Sequence, residues 1–280
     1  MLDVVRLMTM EKDFGAETAP RRLAALMKRA VGLDLSDAAL AQAAARLAPR
    51  LKRLGLEGLS GYVALLGGRD GQGELALALG LLTTTTTGFF REPAQFELLE
   101  SELSRRRPAR PRLWSAAASF GDDAYSLAML LADLQLAGRI GADWQVLGTD
   151  IGEHRLRSAA EAIYPESRLR QVTHERLRRY AVGSGDASTG LVQVQAGLRE
   201  RVRFERHDLR EPLPGAEGFD AIWLRQALVY FDATTRQAVL AQVLARLHPG
   251  GLFFVAPAEQ GLVTTPGLQA LGGGSFRKSA

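Results

Sequence analysis

Five short apolar runs, RLWSAAAS, WQVLGTDI, VRFERHDL, FDAIWLRQ and GLFFVAPA, recur between residues 112 and 258, separated by helix-length segments such as Ala124 to Leu136 and Thr234 to Leu247. A run that is apolar at successive positions suits a strand covered on both faces. Strands that alternate with helices are joined by crossovers and lie parallel. The pattern predicts an α/β fold with a doubly wound, Rossmann-like sheet over residues 111–280. Within it, GSGDASTG at 183–190 lies between RRYAV and LVQVQ and reads as a turn joining two short antiparallel strands. That makes a small antiparallel β insertion at about 178–196.

The first 80 residues follow a different rule. Leu40, Ala44, Leu47, Leu51 and Leu54 are spaced four, three, four and three, one apolar stripe along a helix whose other face carries Arg46, Arg50, Lys52 and Arg53. Further helical patterns at Pro20 to Val31 and Leu59 to Leu66, with Asp34 or Ser36 as N-cap, predict a small N-terminal all-helical domain over 1–80. A linker over 81–110 carries TTTTTGFFREP and a helix expected from Phe89 to Leu103. SRRRPARP, with prolines at 108 and 111, ends that helix, and a domain boundary is expected there.

Composition removes several function classes. With no cysteine in 280 residues there is no disulfide, no thiol nucleophile and no cysteine-ligated metal. The four histidines, 154, 174, 207 and 248, lack metal-ligand spacing, so no metal is expected. No stretch reaches the roughly 18 uncharged apolar residues of a membrane span, and MLDVVRLMTMEKDF has no cleavable apolar core. A cytoplasmic protein without membrane insertion is expected. The excess of 35 Lys and Arg over 31 Asp and Glu comes without a nucleic-acid-binding motif, and no nucleic-acid partner is expected.

In an open parallel sheet the ligand sits beyond the carboxyl ends of the strands. There the first run ends in SAAASFGDDAYS, whose small residues, Ala117 and Gly121 among them, let backbone approach a ligand closely, with Asp122 and Asp123 at the entrance of the next helix. The second ends in Gly148-Thr149-Asp150, where an acidic residue is placed to bind ribose hydroxyls, and the third in His207-Asp208-Leu209, a second acceptor suited to an adenine amino group. No GxGxxG is present, and two carboxylates at the helix start would repel a diphosphate. A cofactor with ribose and adenine, a positive centre and no phosphate suits them better, which describes S-adenosylmethionine.

RLWSAAASFGDDAYSLAMLLADL, VLGTDIGEHRLRSAAEAIYP, VRFERHDL, FDAIWLRQALVYFD and LHPGGLFFVAPAE, in that order after TTTTTGFFREPAQFELLE, resemble the chemotaxis receptor glutamate methyltransferases, the CheR family. The resemblance covers nearly the whole chain and implies a methyltransferase sheet that binds S-adenosylmethionine and releases S-adenosylhomocysteine. It implies that Thr85, Thr87 and Arg91 contact the cofactor, Thr85 standing where asparagine is usual. Asp122 falls where the family has a glutamate holding the cofactor's amino-acid end, and Asp150, with Ile151 after it, where it has the ribose-binding aspartate. Asp208-Leu209 stands for the common Asn-Leu, and Arg225-Gln226, followed by Ala227, for the usual Arg-Asn. Arg91 and Tyr230 are expected to orient the substrate carboxylate.

The implied reaction is methylation of glutamate side chains on the cytoplasmic helical bundle of a chemoreceptor, with a receptor C-terminal tail peptide adding to the β insertion as a strand. The basic N-terminal helices would suit that acidic bundle, and reversing Arg50 and Arg53 to Glu is expected to slow methylation while sparing cofactor binding. Two other readings remain open at this point. Phe120, Asp122 and Gln226 depart from the family pattern, which fits a catalytically weak regulatory module, and a small-molecule methyltransferase shares the sheet.

Overall fold

The computed structural model describes residues 18–68, 71–83, 87–183, 190–215 and 218–279. They divide into two compact units, one running to Thr84 and including Tyr230–Thr235, the other comprising Thr85–Val229 and Arg236–Ala280.

The first unit carries helices α1 (Ala19–Val31), α2 (Asp37–Arg53), α3 (Leu59–Gly67) and α4 (Gly71–Leu82). Helix α1 ends at Gly32, whose φ of 73° lets its N–H turn back to the Lys28 carbonyl. Of the two N-cap candidates it is Ser36 that starts α2, its Oγ accepting from the Ala39 N–H at 3.3 Å. The buried positions of α2 are Ala43, Leu47 and Leu51, whereas Ala44 is exposed. Residues 43 and 44 flank the line through Leu47 on either side, and the helix is rolled toward the former.

Two arginines expected on the solvent face of α2 instead bind within the unit. Arg46 Nη1 donates to the Leu82 carbonyl at 2.6 Å. Arg50 donates through Nε and Nη2, at 2.9 and 2.6 Å, to Glu74 of α4, which also accepts from the Tyr62 hydroxyl at 2.7 Å. Glu74 is 8% exposed, so the pair replaces water that the carboxylate has lost. Lys52 and Arg53 remain exposed. Arg50→Met should lower unfolding stability by about 3 kcal/mol at neutral pH in urea melts, because Glu74 then stays buried without its cation. The Arg50 hydrogen bonds hold the Glu74 pKa below the ordinary carboxylate value. The pair's contribution is therefore full above that ordinary value and is lost as pH falls through the depressed one, and the deficit of the variant should shrink accordingly. An unchanged urea midpoint at neutral pH would contradict this account of Arg50.

The second unit runs, in chain order, α5 (Pro93–Arg106), β1 (Arg112–Ala116), α6 (Asp122–Leu136), β2 (Gln145–Asp150), α7 (Glu153–Glu161), β3 (Ile163–Pro165), α8 (His174–Tyr180), β4 (Ala181–Gly183), β5 (Leu191–Val194), α9 (Ala196–Arg199), β6 (Val202–Arg206), β7 (Phe219–Leu224), α10 (Ala233–Ala245, whose first residues cluster with the helical unit), β8 (Leu247–Phe254), β9 (Leu268–Gly272) and β10 (Ser275–Lys278). The main sheet has the order β6-β2-β1-β7-β8-β10-β9. Its first five strands are parallel and are the five apolar runs; Trp114, Trp223, Phe253 and Phe254 on them are at most 1% exposed.

Three features differ from expectation. The helix expected from Phe89 begins at Pro93, because Phe90 and Glu92 hold φ of 49° and 58°, a left-handed backbone that an α-helix cannot propagate. It belongs to the sheet unit, where Gln95 Nε2 donates to the Val255 and Gly273 carbonyls at 2.8 Å, so the prolines at 108 and 111 lie inside that unit. A C-terminal antiparallel hairpin, β9 and β10, extends the sheet; Gly272, Gly273 and Gly274 make its turn with φ of 90°, 57° and 76°. The insertion has a third strand, its order being β3-β5-β4 with β5 central, and most of the turn between β4 and β5 lies outside the described residues.

Candidate functional site

The register of the parallel strands brings the ends of β2, β1 and β7 level: Ala116 pairs with Thr149 on one side and Leu224 on the other. Beyond that line the backbone is unusual. Ala117, Ser119 and Gln226 have φ of 63°, 52° and 56°, so with Phe90 and Glu92 five non-glycine residues around this edge are left-handed. Each such residue costs on the order of 1–3 kcal/mol and persists only where its surroundings over-determine it. Gly121, at φ 88°, has no alternative: a Cβ there would meet Ala159 Cβ, Phe204 Cζ and the Tyr164 hydroxyl, each at 3.0 Å. The turn from β1 to α6 is therefore held open for a ligand by packing behind it.

Asp150 is 6% exposed and locked by the chain itself. Its Oδ2 accepts from the Ser119 N–H at 3.0 Å, and its Oδ1 from the Gly152 N–H at 2.8 Å and Arg155 Nη2 at 3.1 Å. A carboxylate has about four acceptor positions, so one remains on Oδ2, the oxygen that does not face Arg155.

The two carboxylates at the start of α6 are not a bare negative charge. Asp122, 1% exposed, meets Arg168 Nη1 through Oδ2 at 3.3 Å. Burial pushes its pKa up, and Arg168 opposes that shift. Asp123 accepts two bonds from Arg225, from Nη2 and, at 3.1 Å, from Nε, and lies 3.6 Å from Arg91 Nη2. Arg225, whose side chain is 2% exposed, also donates to the Arg91 carbonyl at 2.7 Å, while Arg91 Nη1 donates to Gln226 Oε1 at 3.0 Å. Three cations thus surround two anions. Repulsion of a diphosphate by bare aspartates does not describe this site; its net charge favours a carboxylate.

Gln226 is held from the opposite side by a residue that spacing gave no reason to choose. Glu259, 1% exposed, accepts from the backbone N–H of Gln226 at 2.7 Å, of Val229 at 3.2 Å and of Ala256 at 3.2 Å. Burial raises its pKa, and those backbone donors pull it back down. This carboxylate fixes the loop after β7.

The structure therefore gathers Thr87, Arg91, Ala117, Gly121, Asp122, Asp150, Ile151, Gln226 and Ala227 on the segments around the ends of β1, β2 and β7. Asp208 and Leu209 follow β6; Asp208 is bound by Arg210, which donates to it from its N–H, Nε and Nη2. An adenine amino group would have to share that carboxylate with Arg210. Thr85 lies outside the described residues. Tyr230 lies in the segment that clusters with the helical unit, where its carbonyl accepts from the Asp34 N–H. Arg168 and Glu259 were not singled out from the sequence; an acid following a strand-end Ala-Pro-Ala is the only signal for the second, and the first has none.

Whether these residues fit S-adenosylmethionine can be asked of the buried polar atoms. Ser119 Oγ is buried without a hydrogen-bond partner among the described residues, and Thr87 Oγ1 and Asp122 Oδ1 are buried without a hydrogen bond of good geometry, the Thr87 hydroxyl lying close enough to the Asp122 carboxylate to pull its pKa down. Buried polar groups are rarely left so, and these three lie on the segments expected to hold the cofactor. The residues fit. Among the described residues no cluster of acids and histidines suits a metal, and no helix is long and apolar enough to cross a membrane.

Comparison with known proteins agrees with the geometry. Residues 85–267 match the family model of the CheR methyltransferase SAM-binding domain, and residues 20–83 that of the CheR methyltransferase all-alpha domain. The chemotaxis protein methyltransferase of Escherichia coli is 37% identical over 85% of this chain and 83% of that protein. Its counterpart in Salmonella typhimurium is 35% identical over 85% and 82%, and chemotaxis protein methyltransferase 2 of Pseudomonas aeruginosa 33% identical over 82% of each.

Proposed function

The chain belongs to the CheR methyltransferase family, and we propose that it methylates glutamate side chains of chemoreceptors, using S-adenosylmethionine and releasing S-adenosylhomocysteine. The observation that carries this reading is the strained edge of the sheet, where three buried oxygens without a well-formed hydrogen bond, Thr87 Oγ1, Ser119 Oγ and Asp122 Oδ1, coincide with the matched SAM-binding domain. The cofactor, when bound, supplies a methyl group activated on a sulfonium.

The chain's own residues position the reactants. Asp150 offers its remaining acceptor to ribose hydroxyls, and Asp122 Oδ1 offers one to an ammonium group. A receptor glutamate, with an ordinary pKa near 4.3, is already ionised at neutral pH, so the chain need supply no general base. Catalysis then rests on holding that carboxylate in line and excluding water. Arg91 has that role, its charge shared with Asp123 and its direction set by Gln226. The departures from the family pattern do not point to a weak module, since Gln226 orients Arg91, Asp122 is paired with Arg168, and the Phe120 ring lies 4.9 Å from the Arg168 guanidinium.

The receptor surface is proposed more coarsely. Exposed Lys52 and Arg53 replace Arg50 as the basic candidates for an acidic helical bundle, because Arg50 serves Glu74. The insertion offers an edge strand, β4, and exposed Ile163, Val182 and Leu191 to an extended tail peptide. The function is tested by incubating the protein with S-adenosylmethionine and a receptor cytoplasmic fragment and mapping the modified peptides. Methyl esters at glutamates are expected, and modification of other residue types or of none would overturn the reading.

A further inference from the structure

Arg168 lies outside the regular elements expected to build the cofactor site. It lies in the short 3₁₀ turn, Glu166–Leu169, that follows β3, and so belongs to the insertion rather than to the main sheet. Four contacts nevertheless tie this part of the insertion to its surroundings, two to the segment before α5 and two to the β1–α6 turn. The Arg168 carbonyl accepts from the Phe89 N–H at 3.2 Å, and the Tyr164 hydroxyl donates to the Phe120 carbonyl at 2.7 Å. The Phe89 and Tyr164 rings meet edge-on at 5.0 Å, and the Arg168 guanidinium lies 4.9 Å from the centre of the Phe120 ring.

Among the described residues the guanidinium makes one hydrogen bond, from Nη1 to Asp122 Oδ2. An arginine has five N–H donors in a planar fork, and those on Nε and Nη2 meet no acceptor among the described residues. The side chain is 28% exposed, while on the other side of the pair Asp122 Oδ1 is buried with no hydrogen bond of good geometry. The pair therefore presents unused donors from a fixed cation next to an acceptor without a well-formed hydrogen bond on a fixed anion. The adjoining carboxylate, Asp123, is taken by Arg225 and Arg91.

We propose that Arg168 is a further cofactor-binding residue, taking the carboxylate of the methionyl end whose ammonium goes to Asp122, as the family resemblance already implies for that position. The inference rests on the reading that this edge of the sheet binds S-adenosylmethionine, and adds to it a binding residue supplied by the insertion. A consequence is that anything that shifts the insertion also shifts cofactor affinity.

Calorimetry with two ligands tests it: S-adenosylhomocysteine, which has the amino-acid end, and 5′-methylthioadenosine, which shares the adenosine and thioether but lacks that end. Arg168→Met should weaken S-adenosylhomocysteine about tenfold, the scale of a lost hydrogen bond to a charged group, and leave methylthioadenosine within about twofold. Arg168→Lys should recover part of the loss, since it keeps the charge without the fork. Equal losses for both ligands would make Arg168 a purely structural residue, and no loss for either would remove it from the site; each overturns the inference. Failure of the unmodified protein to bind S-adenosylhomocysteine would instead overturn the cofactor reading itself.

Discussion

Asp123→Ala should lower the unfolding free energy by about 3–5 kcal/mol, more than any other single change at the site, although no ligand is assigned to Asp123. The Arg225 side chain is 2% exposed and, among the described residues, its only carboxylate partner is Asp123; the carbonyl of Arg91 and the Gln95 side chain accept from it but carry no charge. Removing the anion leaves a buried guanidinium uncompensated. The penalty comes from the orphaned charge and not from the value of the pair, so Asp123→Ala combined with Arg225→Met should recover most of it. Urea melts of the three proteins and the parent measure the cycle. Additive losses in the double variant would show that the two residues stabilise the fold separately and would contradict the account.

Arg91→Met should reduce receptor methylation about a hundredfold while changing the unfolding midpoint little. The guanidinium is 23% exposed, and its ion pair with Asp123 is the long one at 3.6 Å, so little stability depends on it. Its proposed contribution is geometric, and displacing a reacting group by about 1 Å is worth on the order of 10² in rate. Arg91→Lys should restore only part of the rate, because a single ammonium cannot contact Gln226 and a substrate carboxylate with the same planar geometry. An unchanged rate in the Met variant would remove Arg91 from the substrate site.

Much of this was legible because the chain obeys simple periodicities. Strands covered on both faces are apolar at successive positions, and all five runs are strands, although β6, at the sheet edge, carries Arg203, Glu205 and Arg206 and is buried only at Val202. The acids ending the first two, Asp122 and Asp150, are where the sheet turns toward its ligand edge. What escaped had no local signal. The hairpin of β9 and β10 is exposed on most of its first strand, so LQALG lacks the apolar run that marked the others, and only the glycine triplet betrays the turn. Helix α5 starts at Pro93, four residues later than helix-like composition suggests, because the backbone at Phe90 and Glu92 is fixed by the site and not by helix propensity. Arg168 has no signal in the sequence, and Arg50 falls on the polar face of its helix pattern. Their carboxylates lie 46 and 24 residues away in the chain, and only the fold brings each pair together. Glu259 is similar, serving N–H groups 30 and 33 residues before it.

The central claim is that this site transfers a methyl group from S-adenosylmethionine to receptor carboxylates. The most direct test follows methyl-labelled S-adenosylmethionine incubated with the protein and receptor-containing membranes. Label should appear on the receptor band, be released as methanol by mild base as an ester requires, and be absent with Asp150→Ala. Base-stable label on the receptor, label confined to small molecules, or no transfer at all would contradict the claim.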